Sequence, residues 1–159
     1  MDIVLRNFLL ILIGFLLSKT VEAQYISRSE PVPYVCPVVC QGGTLLLKVN
    51  QIENLPVGCT VQAQLSNAVG GFGAGAQILE ASEFSTNLGA TWQTGPYVFS
   101  SNINNLYMRV VVPIVTVVGN QYTIRMRAST GDVSNDLYQC GGSNTITVTP
   151  YTPPLPMVT

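Results

Sequence analysis

Thr60-Val61-Gln62-Ala63-Gln64-Leu65-Ser66 alternates polar and apolar side chains without a break. A period of two is that of a β-strand, whose successive side chains point to opposite faces. Val61, Ala63 and Leu65 are then expected in a core, with Gln62 and Gln64 on the water side. The residues that follow, Asn67-Ala68-Val69-Gly70-Gly71-Phe72, are polar and Gly-rich and read as a turn.

The same period recurs along the chain. Thr44–Asn50 places Leu45, Leu47 and Val49 on one face. Gln121–Ser129 places Tyr122, Ile124, Met126 and Ala128 opposite Thr123, Arg125 and Arg127. Asn144–Pro150 places Ile146 and Val148 opposite Thr145, Thr147 and Thr149. Three further strands are expected at Ala76–Ala81, Thr91–Phe99 and Leu106–Val112. The second of these is interrupted by Gly95-Pro96, which marks an edge or bulged strand. Gly- or Asn-rich turns separate the segments. About seven short alternating strands at this spacing predict an all-β protein, an antiparallel immunoglobulin-like β-sandwich.

The N-terminus addresses the chain for export. The apolar run Phe8–Leu17 is followed by Val21-Glu22-Ala23, a small-residue cleavage site. The run rises only about 15 Å, half of a hydrocarbon core of about 30 Å. Residues 1–23 are therefore expected as a signal peptide, with cleavage before Gln24 and no membrane span afterwards. An extended segment at 24–35, a sandwich domain at 36–150 and a Pro-rich tail at 151–159 complete the expected organisation. The localisation implied is secreted or cell surface. Net charge is −1 and charged residues make up 9% of the chain. No basic footprint for nucleic acid exists.

Val39-Cys40-Gln41-Gly42-Gly43-Thr44, then Thr60–Ala68 with Gly71-Phe72, then Gly119-Asn120-Gln121-Tyr122-Thr123-Ile124-Arg125-Met126-Arg127-Ala128-Ser129 occur in that order. Together they resemble the Ig-like β-sandwich repeat of secreted and surface proteins of Bacteroidetes-type bacteria. The resemblance runs from about Val35 to Val148 and implies a sandwich displayed outside the cell. It departs from the family in three respects. One copy stands where the family has tandem copies, Cys36, Cys59 and Cys140 are additional, and the likeness fades between Ala81 and Asn105.

Cys36, Cys40, Cys59 and Cys140 form an even set in an exported chain, the composition of a disulfide framework. Three connectivities are open. If strands alternate direction so that the first and last begin at the same end, Cys40 pairs with Cys140 and Cys36 with Cys59. Cys36 with Cys140 is the alternative. Histidine is absent, so imidazole-based nucleophile activation is excluded, and a Cys/His metal site lacks its second half. Neither a catalytic residue nor a metal or other cofactor is expected. Glu80 and Glu83, three apart in a strand, would face opposite ways. Asp132 and Asp136 read as a solvated loop, with a loop cation site as the alternative, and Arg125 and Arg127 as decoration of one strand face, with anion binding as the alternative.

Trp92, Tyr97, Phe99 and Tyr107 cluster in sequence. Tryptophan in a sandwich is by default a core residue. Stacking of Trp92, Tyr97 and Tyr107 on a sugar ring is the functional alternative. Val110–Val118 (VVVPIVTVV) reads either as a buried strand and turn or as a strand that pairs with a second copy. Two function classes follow. One is a non-catalytic extracellular binding or adhesion module for a surface glycan or protein. The other is a structural subunit of a surface fibre, or a fragment of a larger repeat protein, with self-association.

Overall fold

Alternation in the sequence becomes strand pairing along most of the chain. The computed structural model describes residues 24–27, 29–31, 38–131, 134 and 145–153. These contain no helix and thirteen strand segments. They are β1 (Tyr25–Ile26), β2 (Ser29–Pro31), β3 (Val38–Cys40), β4 (Thr44–Glu53), β5 (Thr60–Leu65), β6 (Gln77–Leu79) and β7 (Ala81–Ser85). The chain continues with β8 (Gln93–Thr94), β9 (Tyr97–Val98), β10 (Ile103–Val111), β11 (Gly119–Tyr122), β12 (Ile124–Ala128) and β13 (Ile146–Thr149). The excess over the expected seven has a simple origin. Three segments precede Thr44, and three expected strands are each divided in two. The segment read as an N-terminal extension thus supplies β1 and β2, both paired to β4.

One sheet has the order β1-β4-β10-β7-β8, with β2 also on β4. The opposing layer consists of β11-β13-β3 and of β12-β5-β6, with β9 on β5. β11 and β12 are successive halves of one run broken only at Thr123, where the partner changes from β13 to β5. All pairings are antiparallel except β3 with β13. The sheets do not close into a barrel. The fold is therefore all-β and a sandwich, as expected.

Between the layers lies one apolar cluster. Leu45, Leu47, Val49 and Ile52 of β4 and Leu106, Met108 and Val110 of β10 line one side. Val61, Ala63 and Leu65 of β5, Ile124, Met126 and Ala128 of β12, and Ile146 and Val148 of β13 line the other. Every alternating set read from the sequence is buried on its expected face.

Gln64 departs from that reading. It is only 8% exposed, although it occupies the outer face. Arg125, its cross-strand partner on β12, donates Nε–H to Gln64 Oε1 at 2.8 Å. The Arg125 guanidinium in turn lies 4.3 Å from the centre of the Phe72 ring. Phe72 is brought there by the Gly-rich turn. Asn67 Oδ1 accepts the amides of Val69 and Gly71, and Gly70 adopts a φ of 83°. Thr123, also expected outside, is buried as well.

Val110–Val118 is divided between a buried strand end with its turn, as the first reading expects, and an exposed loop that is not a strand. The strand β10 ends at Val111, and residues 112–118 form a loop. Val112 is tied by its carbonyl to the Gly42 amide and by its amide to the Gly43 carbonyl. Thr116 is buried, its hydroxyl donating to Gln77 Oε1 at 2.8 Å. Ile114, Val115, Val117 and Val118 are left in solvent. The Tyr122 hydroxyl donates to the Val117 carbonyl at 2.5 Å and closes the loop onto the strand that follows it. A tyrosine bonded back to the chain a few residues upstream is a hallmark of sandwich corners.

Strand direction also revises the cysteines. β13 finishes beside Cys40, with Thr149 opposite it, while β4 starts at that same end. The first and last strands therefore do not begin together, and the directional argument for Cys40 with Cys140 falls. Cys59, before β5, lies near Phe99 at the opposite end of the sandwich. β4, ten residues long, spans about 30 Å between these ends. Cys40 and Cys59 are not bonded to each other, and bridging requires Cα atoms within about 7 Å. Cys36 and Cys140, like residues 1–23, Asp132 and Asp136, lie outside the described residues.

Candidate ligand-binding cleft

Gly95-Pro96 determines where a cavity forms. β8 pairs with β7 in the first sheet through Glu83–Thr94 and Phe84–Gln93. Two residues later β9 pairs with β5 in the other layer through Val61–Tyr97 and Thr60–Val98. The crossing is made at Gly95, whose φ of 101° suits glycine, and its amide is held by the Ser82 carbonyl at 2.7 Å. Proline next in line has no amide to leave unpaired. The chain crosses back through Phe99–Asn102 into β10.

The two crossings leave a cleft of about 340 Å³ at the open edge of the sandwich. Phe84 and Gln93 line it from one sheet, Tyr97 from the other, and Ser101, Asn102 and Ile103 close its end. Phe84 and Tyr97 meet edge to face, with ring centres 5.3 Å apart and planes at 72°. No charged side chain lines the cleft. The Asn102 side-chain oxygen accepts the Asn54 amide and fixes the rim. Burial pushes the Tyr97 phenol above its ordinary value. It is therefore a neutral hydroxyl at physiological pH. Amide and hydroxyl groups beside aromatic rings, without charge, form a lining suited to a neutral polyhydroxylated ligand.

The three aromatics singled out in the sequence do not form one platform. Tyr97 is buried and lines the cleft. Trp92 is half-buried on the surface rather than in the core. The Arg109 guanidinium lies 3.9 Å from its ring centre and is paired to Glu83 at 2.5 Å. That cation occupies one face of the indole. Trp92 is held there by a loop closed on Asn87, which bonds both the amide and the hydroxyl of Thr91. Tyr107 stands on the outer face of the first sheet, opposite Lys48 and Ser85. Phe84, Gln93 and Asn102 were not singled out as site residues. Their only signal in the sequence is the Gly-Pro break that moves the chain between layers.

Glu80 and Glu83 belong to different layers. Glu80 accepts from Gln62 of β5, whereas Glu83 pairs with Arg109 of β10. The chain changes sheet between them, so they make no carboxylate pair. Among the described residues no group of three or more Cys, Asp or Glu side chains gathers as a metal site. No helix among them is long and apolar enough to cross a membrane. Comparisons with protein-family models, with curated proteins and with solved structures return no match.

Proposed function

We propose that this protein is a non-catalytic binding module, secreted or held at the cell surface, that takes a neutral glycan in the cleft between β8, β9 and the start of β10. The observation that carries the reading is the charge-free lining, in which Gln93, Ser101 and Asn102 stand beside the Phe84 and Tyr97 rings. Sugars offer hydroxyls to the amides and C–H faces to the rings. The export signal read from residues 1–23 and the resemblance to bacterial surface repeats agree with an extracellular role. Calorimetric titration with neutral oligosaccharides tests it. A ligand is expected whose affinity falls about tenfold in Gln93→Ala, the loss of one well-placed hydrogen bond. Equal binding by wild type and Gln93→Ala would sink the cleft assignment.

A second reading is a structural subunit that self-associates. It is favoured by the exposed apolar loop, where Val115 is 78% and Val117 66% exposed. Size-exclusion chromatography over a concentration series separates the two. A constant monomer supports the binding module, and growth into polymers that Val115→Ser abolishes supports the subunit.

A further inference from the structure

The outer face of β5 and β12 carries a second cluster that is charged where the cleft is neutral. Gln62 lies opposite Arg127 and Gln64 opposite Arg125, a two-by-two array. Alternate residues of a strand are about 6.7 Å apart, which sets the spacing of the two arginines. Arg125 spends one N–H on Gln64 and stacks on Phe72. Its terminal nitrogens have no acceptor among the described residues. Arg127 makes a single side-chain hydrogen bond among the described residues, from Nε–H to the carbonyl of the neighbouring Ala128 at 3.5 Å. Neither arginine pairs with a carboxylate among the described residues, in contrast to Arg109, which pairs with Glu83. Glu80 is the acid bonded nearest this array, and Gln62 Nε2 donates to it at 3.2 Å.

Gln64 adds an independent sign. It is more than nine-tenths buried, and its oxygen is committed to Arg125. Its amide nitrogen has no hydrogen-bond partner among the described residues and stays open to water, since Thr123 Oγ1 is the buried side-chain atom left unsatisfied there. The Gln64 amide adds a neutral donor on the strand face that carries two guanidinium groups with no carboxylate partner among the described residues. Arg125 is fixed in advance by an amide and an aromatic ring, which reduces the ordering lost on binding.

We propose that this face is an anion subsite for an oxyanion-bearing polysaccharide, carboxylated or sulfated, engaged by Arg125 and Arg127 with Gln64 as a neutral donor. Guanidinium groups hold carboxylate and sulfate through paired N–H bonds. β5 is bonded to β12 on one side and to β6 and β9 on the other, while β12 is the outer strand of this sheet and its free edge is held at Met126 by the amide and hydroxyl of Ser134. A peptide therefore finds no strand edge on β5 to extend. Two arginines on a near-neutral chain are too few for a nucleic-acid footprint. The subsite does not depend on the cleft.

Affinity electrophoresis of the folded protein through gels containing polygalacturonate, dextran sulfate or neutral dextran tests the proposal. Retardation is expected in one or both anionic gels and not in neutral dextran. The gel that retards identifies the oxyanion. Arg125→Gln and Arg127→Gln should each weaken retention about tenfold, the scale of one charge-assisted hydrogen bond. Arg125→Lys should remain weakened, because an ammonium lacks the planar fork. Gln93→Ala, in the cleft, should leave retention unchanged, so failure of the neutral-glycan reading and failure of this one are told apart. Arg127 hydrogen-bonds no other strand among the described residues, so Arg127→Gln retains the fold if Arg125→Gln does not. Unchanged retention of the double variant would overturn the subsite. Competition by polyglutamate as strong as by polyuronate, charge for charge, would also overturn it, in favour of an acidic protein partner.

Discussion

Leu65 and Gln64 are neighbours on β5 and both are buried, for different reasons. Leu65 points between the sheets with no exposed surface, and Leu65→Ala should cost about 2–5 kcal/mol through lost transfer energy and a residual cavity. Gln64 is covered from outside by Arg125. Gln64→Ala should cost about 1 kcal/mol, since the guanidinium it leaves is half-exposed and water replaces part of the bond. Gln62→Thr, at a more open position, should change stability by less than about 0.5 kcal/mol. Urea titration ranks the three, and equal effects at Gln62 and Gln64 would show that the cover contributes nothing. Thr123 offers the opposite case. Its hydroxyl is buried without a hydrogen-bond partner among the described residues. Thr123→Val removes an unsatisfied polar atom and should raise stability by about 1 kcal/mol in the same titration.

At the scale of elements, the loop at 112–118 and the strand β11 depend on one hydroxyl. Tyr122→Phe removes the bond to Val117, and a loss of about 1–2 kcal/mol is expected. Amide exchange should quicken first at Val117 and Val118. Burial raises the phenols of both Tyr122 and Tyr97. In the unfolded chain each ionises near pH 10. The stability they contribute is therefore complete below that pH and is lost as pH rises through the higher folded value. The melting temperature should fall above about pH 10, and less steeply in Tyr97→Phe. Periodicity made β4, β5, β12 and β13 legible in the sequence, because one face of each is core and the other is not. It could not reveal β1 or β2, which are too short to show a period, nor the division of Thr91–Phe99 between two layers. Strand character is local, but the choice of partner sheet is tertiary. The cover over Gln64 was illegible for the same reason, since it comes from a cross-strand arginine and an aromatic ring beyond the next turn. The cleft was legible only as a Gly-Pro break, and its neutral lining comes from residues with no pattern of their own.

Across the whole molecule, the cysteines at opposite ends constrain any framework. Because Cys40 and Cys59 are not bonded to each other, disulfide mapping should find each linked to Cys36 or Cys140. A Cys40–Cys59 peptide would contradict the strand directions. Thiol titration in denaturant should find no free thiol until reductant is added, as the proposed export implies. If residues 1–23 are the proposed signal peptide, the mature protein should begin at Gln24 by intact mass, and retention of Met1 would refute the signal reading.

The parallel contact between β3 and β13 bears on how the domain carries mechanical load. The chain enters β3 from one end of the sandwich and leaves β13 at the other, with Val38, Val39 and Cys40 set beside Thr147, Val148 and Thr149. Tension on the two flanking segments pulls these strands past one another along their length. Their hydrogen bonds, with the added link from the Gln41 amide to the Thr149 carbonyl, are then strained together rather than opened one after another. A shear clamp of this kind resists extension more than a strand peeled from its edge. Load applied across β3 and β13 falls on these few residues before the core is disturbed.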